Sequence, residues 1–174
     1  MKDKYQKTTY LRNLIFGGED SLASVVGLAA GGTAAGLDTS VIFLSGFILI
    51  MVEAVAMSAG SLISENSTIE YNTGEITSLK QATGGSLAMF ASYIIFGFIP
   101  LLPFVFISQT QNALILSTIL ALTTLGLMGF LAGTISGISR RRKAFQFIII
   151  GGLAIGLGYI IGYFGDYLIN AFIN

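Results

Sequence analysis

A chain of 174 residues that is 53% hydrophobic and 10% charged, with a mean hydropathy of +0.80, lies outside the range of water-soluble domains. Its nine basic and nine acidic residues cancel, and it has neither cysteine nor histidine. Disulfides, thiolate sites and imidazole metal sites are thereby excluded together, so any metal must be held by oxygen or thioether ligands.

The first residues, MKDKYQKTTYLRN, are polar and basic. Acids follow them and no small-residue cleavage site does, so the first apolar helix is expected to stay in place rather than be removed as a signal peptide. Five apolar runs come next, at about 14–36, 40–63, 85–107, 112–137 and 144–169. Each can cover a hydrocarbon core of about 30 Å, which takes roughly 20 helical residues. The predicted fold is therefore an all-α integral membrane protein, a single five-helix transmembrane domain over residues 1–174, with a short loop at 64–84.

An odd number of spans puts the two termini on opposite sides. Lys2, Lys4, Lys7 and Arg12 precede span one, Lys80 lies between spans two and three, and Arg140, Arg141, Arg142 and Lys143 lie between spans four and five. All nine then fall on one face, which the positive-inside rule makes the cytoplasm. The expected topology is N-terminus in, C-terminus out. The sequon at Asn66–Thr68 falls on that inner side and reads as accidental.

Glycine is concentrated in the spans: Gly27 with Gly31 and Gly32 with Gly36 in span one, Gly129, Gly133 and Gly137 in span four, Gly152 with Gly156 and Gly158 with Gly162 in span five. Small residues four apart let helix backbones approach closely in lipid, so these positions read as packing seams. A five-helix chain cannot hold a simple inverted repeat, and two-fold symmetry must come from a homodimer.

Three acids sit deep enough in the spans to need a reason: Glu19, Asp20 and Glu53. An ionisable group inside a membrane costs about 2.5–3.5 kcal/mol on insertion scales and marks a pathway or an ion site by default. Glu53 lies mid-way along span two with no Lys or Arg in any span to pair with it. Glu19 and Asp20 follow Gly17-Gly18 and also suit a helix N-terminus. A helix beginning there would leave only 21–36, about 24 Å, which is short for a crossing, so an earlier start is expected, with Asp20 inside the cytoplasmic edge. Met57 is one turn from Glu53 on the same face and is expected at much the same depth as Asp20. Beside unpaired carboxylates a thioether becomes a soft ligand, and a mixed oxygen and sulfur set suits a transition metal better than Mg²⁺ or Ca²⁺.

These residues carry a resemblance. LIFGGEDS at 14–21 with VGLAAG at 26–31, MSAGSLIS at 57–64, FGFIPLLPF at 96–104, and GGLA at 151–154 with YIIG at 159–162 are together similar, in order, to the motifs of the vacuolar iron transporter (VIT) family. The resemblance implies a homodimer whose spans one and two form a path for Fe²⁺ and often Mn²⁺, moved out of the cytosol in exchange for protons. It assigns Asp20 as the pore aspartate and Met57 as the pore methionine. Ser61 stands where the family often has Glu, Ser21 where it has Gly, and Leu49 where it has an acid that Glu53 would replace. Residues 64–84 stand in place of a glutamate-rich metal-binding domain: Glu65, Glu70 and Glu75, five apart, do not converge around a helix.

The expected metal ligands are thus Asp20, Glu53 and Met57, with Glu19 and Ser61 secondary. The expected function is a divalent-metal carrier and not an enzyme, with no permanently bound cofactor and with Fe²⁺ or Mn²⁺ as the transported ion. Its partners are a second copy, membrane lipid, metal ions and protons, with no nucleic acid. A bacterial or archaeal cytoplasmic membrane is expected ahead of an organelle membrane. The competing readings are a non-transporting scaffold or metal-responsive subunit, and a carrier of organic cations with the acids as counter-ions.

Overall fold

The computed structural model describes residues 2–76 and 78–173. They form α1 (Lys2–Ala34), α2 (Thr39–Thr73), α3 (Thr83–Leu101), the single turn α4 (Pro103–Phe106), α5 (Thr110–Ser136) and α6 (Arg140–Ile173). Five segments are long and apolar enough to cross a membrane: Thr8–Ala34, Thr39–Thr73, Thr83–Phe106, Thr110–Ser136 and Arg140–Gly165. The protein is an all-helical integral membrane protein, as the apolar runs require. The side chains of Lys2, Lys4 and Lys7, part of the charge argument above, lie outside the described residues.

Local chemistry sets the helix ends. Gly36, Gly74 and Gly137 hold the left-handed conformation, at φ 74°, 70° and 68°, and each follows a long helix. After α1 and α5 the chain closes with wider bonds, Leu37 N–H to Gly32 O at 2.9 Å and Ile138 N–H to Gly133 O at 3.1 Å, a glycine-dependent stop. Proline interrupts the third crossing. Pro100 lies inside α3 and Pro103 opens α4, so the ladder loses donors there. The Ser117 hydroxyl of α5 donates to the Pro100 carbonyl at 2.6 Å.

Two helices run further than the apolar pattern indicates. α1 begins at Lys2 rather than near residue 14, because the polar segment before the span continues the helix. α2 continues to Thr73, so the first ten residues of the expected 64–84 loop are helical; only a stretch with a 3₁₀ turn at Leu79–Gln81 connects to α3. At about 1.5 Å per residue α2 is roughly 52 Å long, well over a hydrocarbon core of about 30 Å. Hydropathy marks where lipid ends, not where the helix does.

α1 is the central helix. Leu22 and Val26 join Ala121, Leu125 and Met128 of α5 and Phe147 of α6 in one cluster; Val25 meets Ile50 and Leu101 in another; Ala29 meets Ile42, Phe104 and Ala113 in a third. α2 and α6 instead turn long apolar faces outward, Leu44, Ile48, Val52 and Val55 on the one, Leu153, Leu157 and Ile161 on the other.

The glycines divide into two sets. A Cβ on Gly31 would stand 2.8 Å from the Gly158 carbonyl oxygen, and a Cβ on Gly158 or Gly162 would collide with the carbonyl of Gly27 or Gly31. The backbones of α1 and α6 therefore touch, as the spacing predicts. Gly129 is equally tight, with a would-be Cβ 2.6 Å from Lys143 O. Gly152 and Gly156 differ: nothing in the described chain lies within 4 Å of a Cβ at either, so that pair is not a seam within the chain.

Candidate metal site

Close docking of α1 on α3 orients the site. A Cβ on Gly17 would strike the Ser92 hydroxyl, and one on Gly18 would come 2.7 Å from Phe96. Ser21 donates to the Tyr93 carbonyl at 2.6 Å, opposite Gly97. Small residues at 17, 18 and 21 thus face α3, and Asp20 is left on the side that looks toward α2.

Asp20 lies fourteen residues before the last residue of α1, and Glu53 fourteen after the first of α2. Both are about 21 Å from the connecting turn at roughly 1.5 Å per residue, so antiparallel neighbours bring them level. The charge of Glu53 acts directly on Asp20. Tyr93 closes the group from α3. It is fully buried, and its hydroxyl lies beside Asp20 and Ser24.

Met57 is not level with Asp20 as expected; Glu53 is. Met57 opens instead into a cavity of about 460 Å³ one turn further along α2, lined also by Asn13, Phe16, Ser61 and Met89. The expectation counted from the far end of the span, which the extension of α2 shifts. Leu49, which the resemblance matches to an acid, packs against the apolar cluster of Val25, Ile50 and Leu101. Asp20 also borders a second groove of about 660 Å³ that runs between α1 and α6 past Ser24 and Gly27.

The two secondary residues are placed apart. Glu19 faces away from α2, in the field of Lys143 at the start of α6 as well as of Asp20. Ser61 accepts a hydrogen bond from the Asn13 side-chain amide at 2.9 Å, which ties α2 to α1.

Three residues near this group or the cavity beside Met57 were not among the expected site residues. Tyr93 and Met89 look like ordinary core residues of an apolar helix, and nothing in their spacing marks them. Glu65 did carry a signal. Glu53, Met57, Ser61 and Glu65 recur every four residues and follow one slowly drifting stripe along α2, whereas comparing Glu65 only with Glu70 and Glu75 hides it. Glu65 is turned inward at 5% exposure, while Glu70 accepts from Asn66 at 3.0 Å and Glu75 is exposed.

The VIT family sequence profile matches residues 11–84 and 77–163. Over 80 residues the chain is 39% identical to vacuolar iron transporter 1 of Oryza sativa subsp. japonica, covering 46% of this chain and 32% of that protein. Vacuolar iron transporter homolog 2 of Arabidopsis thaliana is 25% identical over 179 residues, 94% of this chain and 90% of its own. The vacuolar iron transporter of Centaurea cyanus is 23% identical over 203 residues, with 83% of each chain covered. The match spans about a third of the length of the rice and Arabidopsis vacuolar iron transporter 1 proteins. These relatives are plant proteins named for the vacuole, so the expected bacterial or archaeal membrane finds no support in them.

Proposed function

The chain belongs to the VIT family, a family of transporters rather than of enzymes, and from that premise we propose that it carries Fe²⁺ or Mn²⁺ out of the cytosol in exchange for protons. One observation supports the reading above all: two carboxylates, Asp20 and Glu53, stand level with each other mid-bundle, near enough that the charge of Glu53 acts on Asp20. In an apolar surround such a pair needs a counter-charge. Either protons or a divalent cation can supply it, and replacing one by the other couples metal to proton movement.

The donors favour a transition metal. Carboxylate oxygens alone would suit Mg²⁺ or Ca²⁺ as well, whereas the thioether of Met57 one turn on adds a soft ligand that Fe²⁺ and Mn²⁺ accept more readily. The N-terminus is cytoplasmic in this reading, from the one-sided distribution of basic residues. A homodimer completes the path. Glu53 is only half-buried, on a helix that otherwise exposes Val52 and Val55, and a second copy laid against α1 and α2 would cover it and bring a second set of ligands.

The test is uptake of Fe²⁺ and of Mn²⁺ into proteoliposomes carrying an internal pH dye, with wild type beside Glu53→Gln. Metal movement opposed by protons, lost in the variant, is the expected result. No flux of either ion from folded, dimeric protein would turn the reading to a non-transporting scaffold.

A further inference from the structure

Tyr93 is the largest side chain that the bundle buries completely among the described residues, and it ends in a hydroxyl. Burying an O–H is unfavourable unless an acceptor takes it up. The groups beside this one are the Asp20 carboxylate and the Ser24 hydroxyl of α1, and the charge of Glu53 on α2 reaches it as well. Three helices thus bring polar groups together in an otherwise apolar layer, where Leu22, Val25 and Val26 of α1 are fully buried.

The phenol has little freedom to leave. Ser21 Oγ donates to the Tyr93 carbonyl at 2.6 Å, which pins α3 to α1 at that very residue. One turn on, a Cβ on Gly97 would lie 2.5 Å from Ser21 Oγ and 2.8 Å from Ile50 Cγ1, so α3 is pressed against α1 and α2 together. A ring closed in on every side in a packed interior does not swing aside. Asp20, by contrast, is half-buried and borders the groove that α1 shares with α6. Its carboxylate therefore meets a fixed hydroxyl toward α3 and open space elsewhere.

We propose that Tyr93 is a positioning residue: its hydroxyl donates to one oxygen of Asp20 and leaves the other for a cation, so that the site discriminates against Ca²⁺. The inference rests on the reading of Asp20 as a cation ligand and adds which cations that ligand disfavours. A carboxylate can offer both oxygens to one ion, and an O–H donated to one of them is a charge-assisted bond that competes for it. Ca²⁺ collects about six to eight oxygens and readily takes carboxylates through both. Fe²⁺ and Mn²⁺ need fewer oxygens and lose less when Asp20 supplies one. Because the phenol cannot move away, the restriction holds whichever ion arrives, as it does wherever a fixed donor orients a metal's ligand.

The test reads selectivity, which a packing role alone would not move. In detergent, Mn²⁺ titrated onto the purified full chain is followed by loss of the free-ion electron paramagnetic resonance signal, and Ca²⁺ is then added as competitor, with wild type beside Tyr93→Phe. The variant keeps the ring and removes only its oxygen. The expected result is a Ca²⁺ dissociation constant that falls about fivefold or more relative to that of Mn²⁺, with the thermal midpoint within a few degrees of wild type. A ratio that does not move, or equal weakening of both ions, overturns the proposal and makes Tyr93 a packing residue. In proteoliposomes the Ca²⁺ concentration that halves Mn²⁺ uptake falls by a similar factor in Tyr93→Phe. Wild-type flux with that concentration unmoved in the variant overturns the positioning role and leaves transport standing; a shifted binding ratio in protein that moves no metal does the reverse. Wild type that neither binds nor moves Mn²⁺ overturns both.

Discussion

α1 meets α6 and α2 in opposite ways. Toward α6 it presents Gly27 and Gly31, so close that a Cβ on Gly158 or Gly162 would strike its carbonyls. Toward α2 it presents Asn13 and Asp20, with a cavity of about 460 Å³ beside the first and a carboxylate facing the second. One seam is backbone-close, with a groove of about 660 Å³ beside it; the other is held by polar side chains. Asn13, Asp20, Gly27 and Gly31 fall on one stripe of α1, since residues seven and eleven apart share a face, so the helix separates the two contacts by level along its length and not by face. The glycine seam fixes α1, and the fixed helix keeps Asp20 level with Glu53.

That contrast predicts a clean separation of effects. On the polar seam Asp20→Asn removes a charge but little volume, so flux falls by about a hundredfold or more while the thermal midpoint in detergent stays within a few degrees. A large drop in the midpoint would mean that Asp20 is structural and that the two seams are not distinct. On the glycine seam Gly158→Ala has the opposite signature. The added Cβ meets backbone, which cannot rotate away, and the bundle loses about 1–3 kcal/mol or more, read as a lower unfolding midpoint. Flux then falls only in step with the folded fraction.

The glycine seam was legible in the sequence and the polar one only partly so. Gly27, Gly31, Gly158 and Gly162 announce themselves because spacing alone decides which helix faces they share. Which helix each face meets is a tertiary fact, and Gly152 with Gly156 carries the same spacing yet touches nothing. Asp20 and Glu53 stand out because acids are rare in apolar runs. Their exact level depended on where α1 ends and α2 begins, at the Gly36 turn, and Met57 was set one turn too deep for that reason. Glu65 was hidden by the limit of the apolar run. Once hydropathy stops, the periodicity of a helix in water is carried by few residues, and Glu65 reads as part of a loop.

The next effect is smaller. Ser61→Ala deletes the hydroxyl that accepts from Asn13, a hydrogen bond worth about 1 kcal/mol net, and leaves the amide of a buried side chain looking for another partner. Stability should fall by about that amount. If Ser61 also passes the ion, apparent affinity for Mn²⁺ in the flux assay falls with it; a stability change with no change in affinity would make Ser61 a brace for the polar seam only.

The smallest effect belongs to Gly152→Ala, and it is informative because it repeats the Gly158 substitution on the same helix six residues away. No atom of the described chain lies where its Cβ would go. Alanine is favoured over glycine in a helix interior by about 1 kcal/mol, so the variant should be neutral or slightly more stable, as the midpoint in dilute detergent reports. The pair of substitutions holds residue type, helix and chemistry fixed and varies only the neighbour, which isolates backbone contact as the cause of the Gly158 effect. Were Gly152→Ala destabilising, the outer face of α6 would have to be covered by something other than lipid, and the proposed dimer would use α6 in place of, or as well as, the polar seam of α1 and α2.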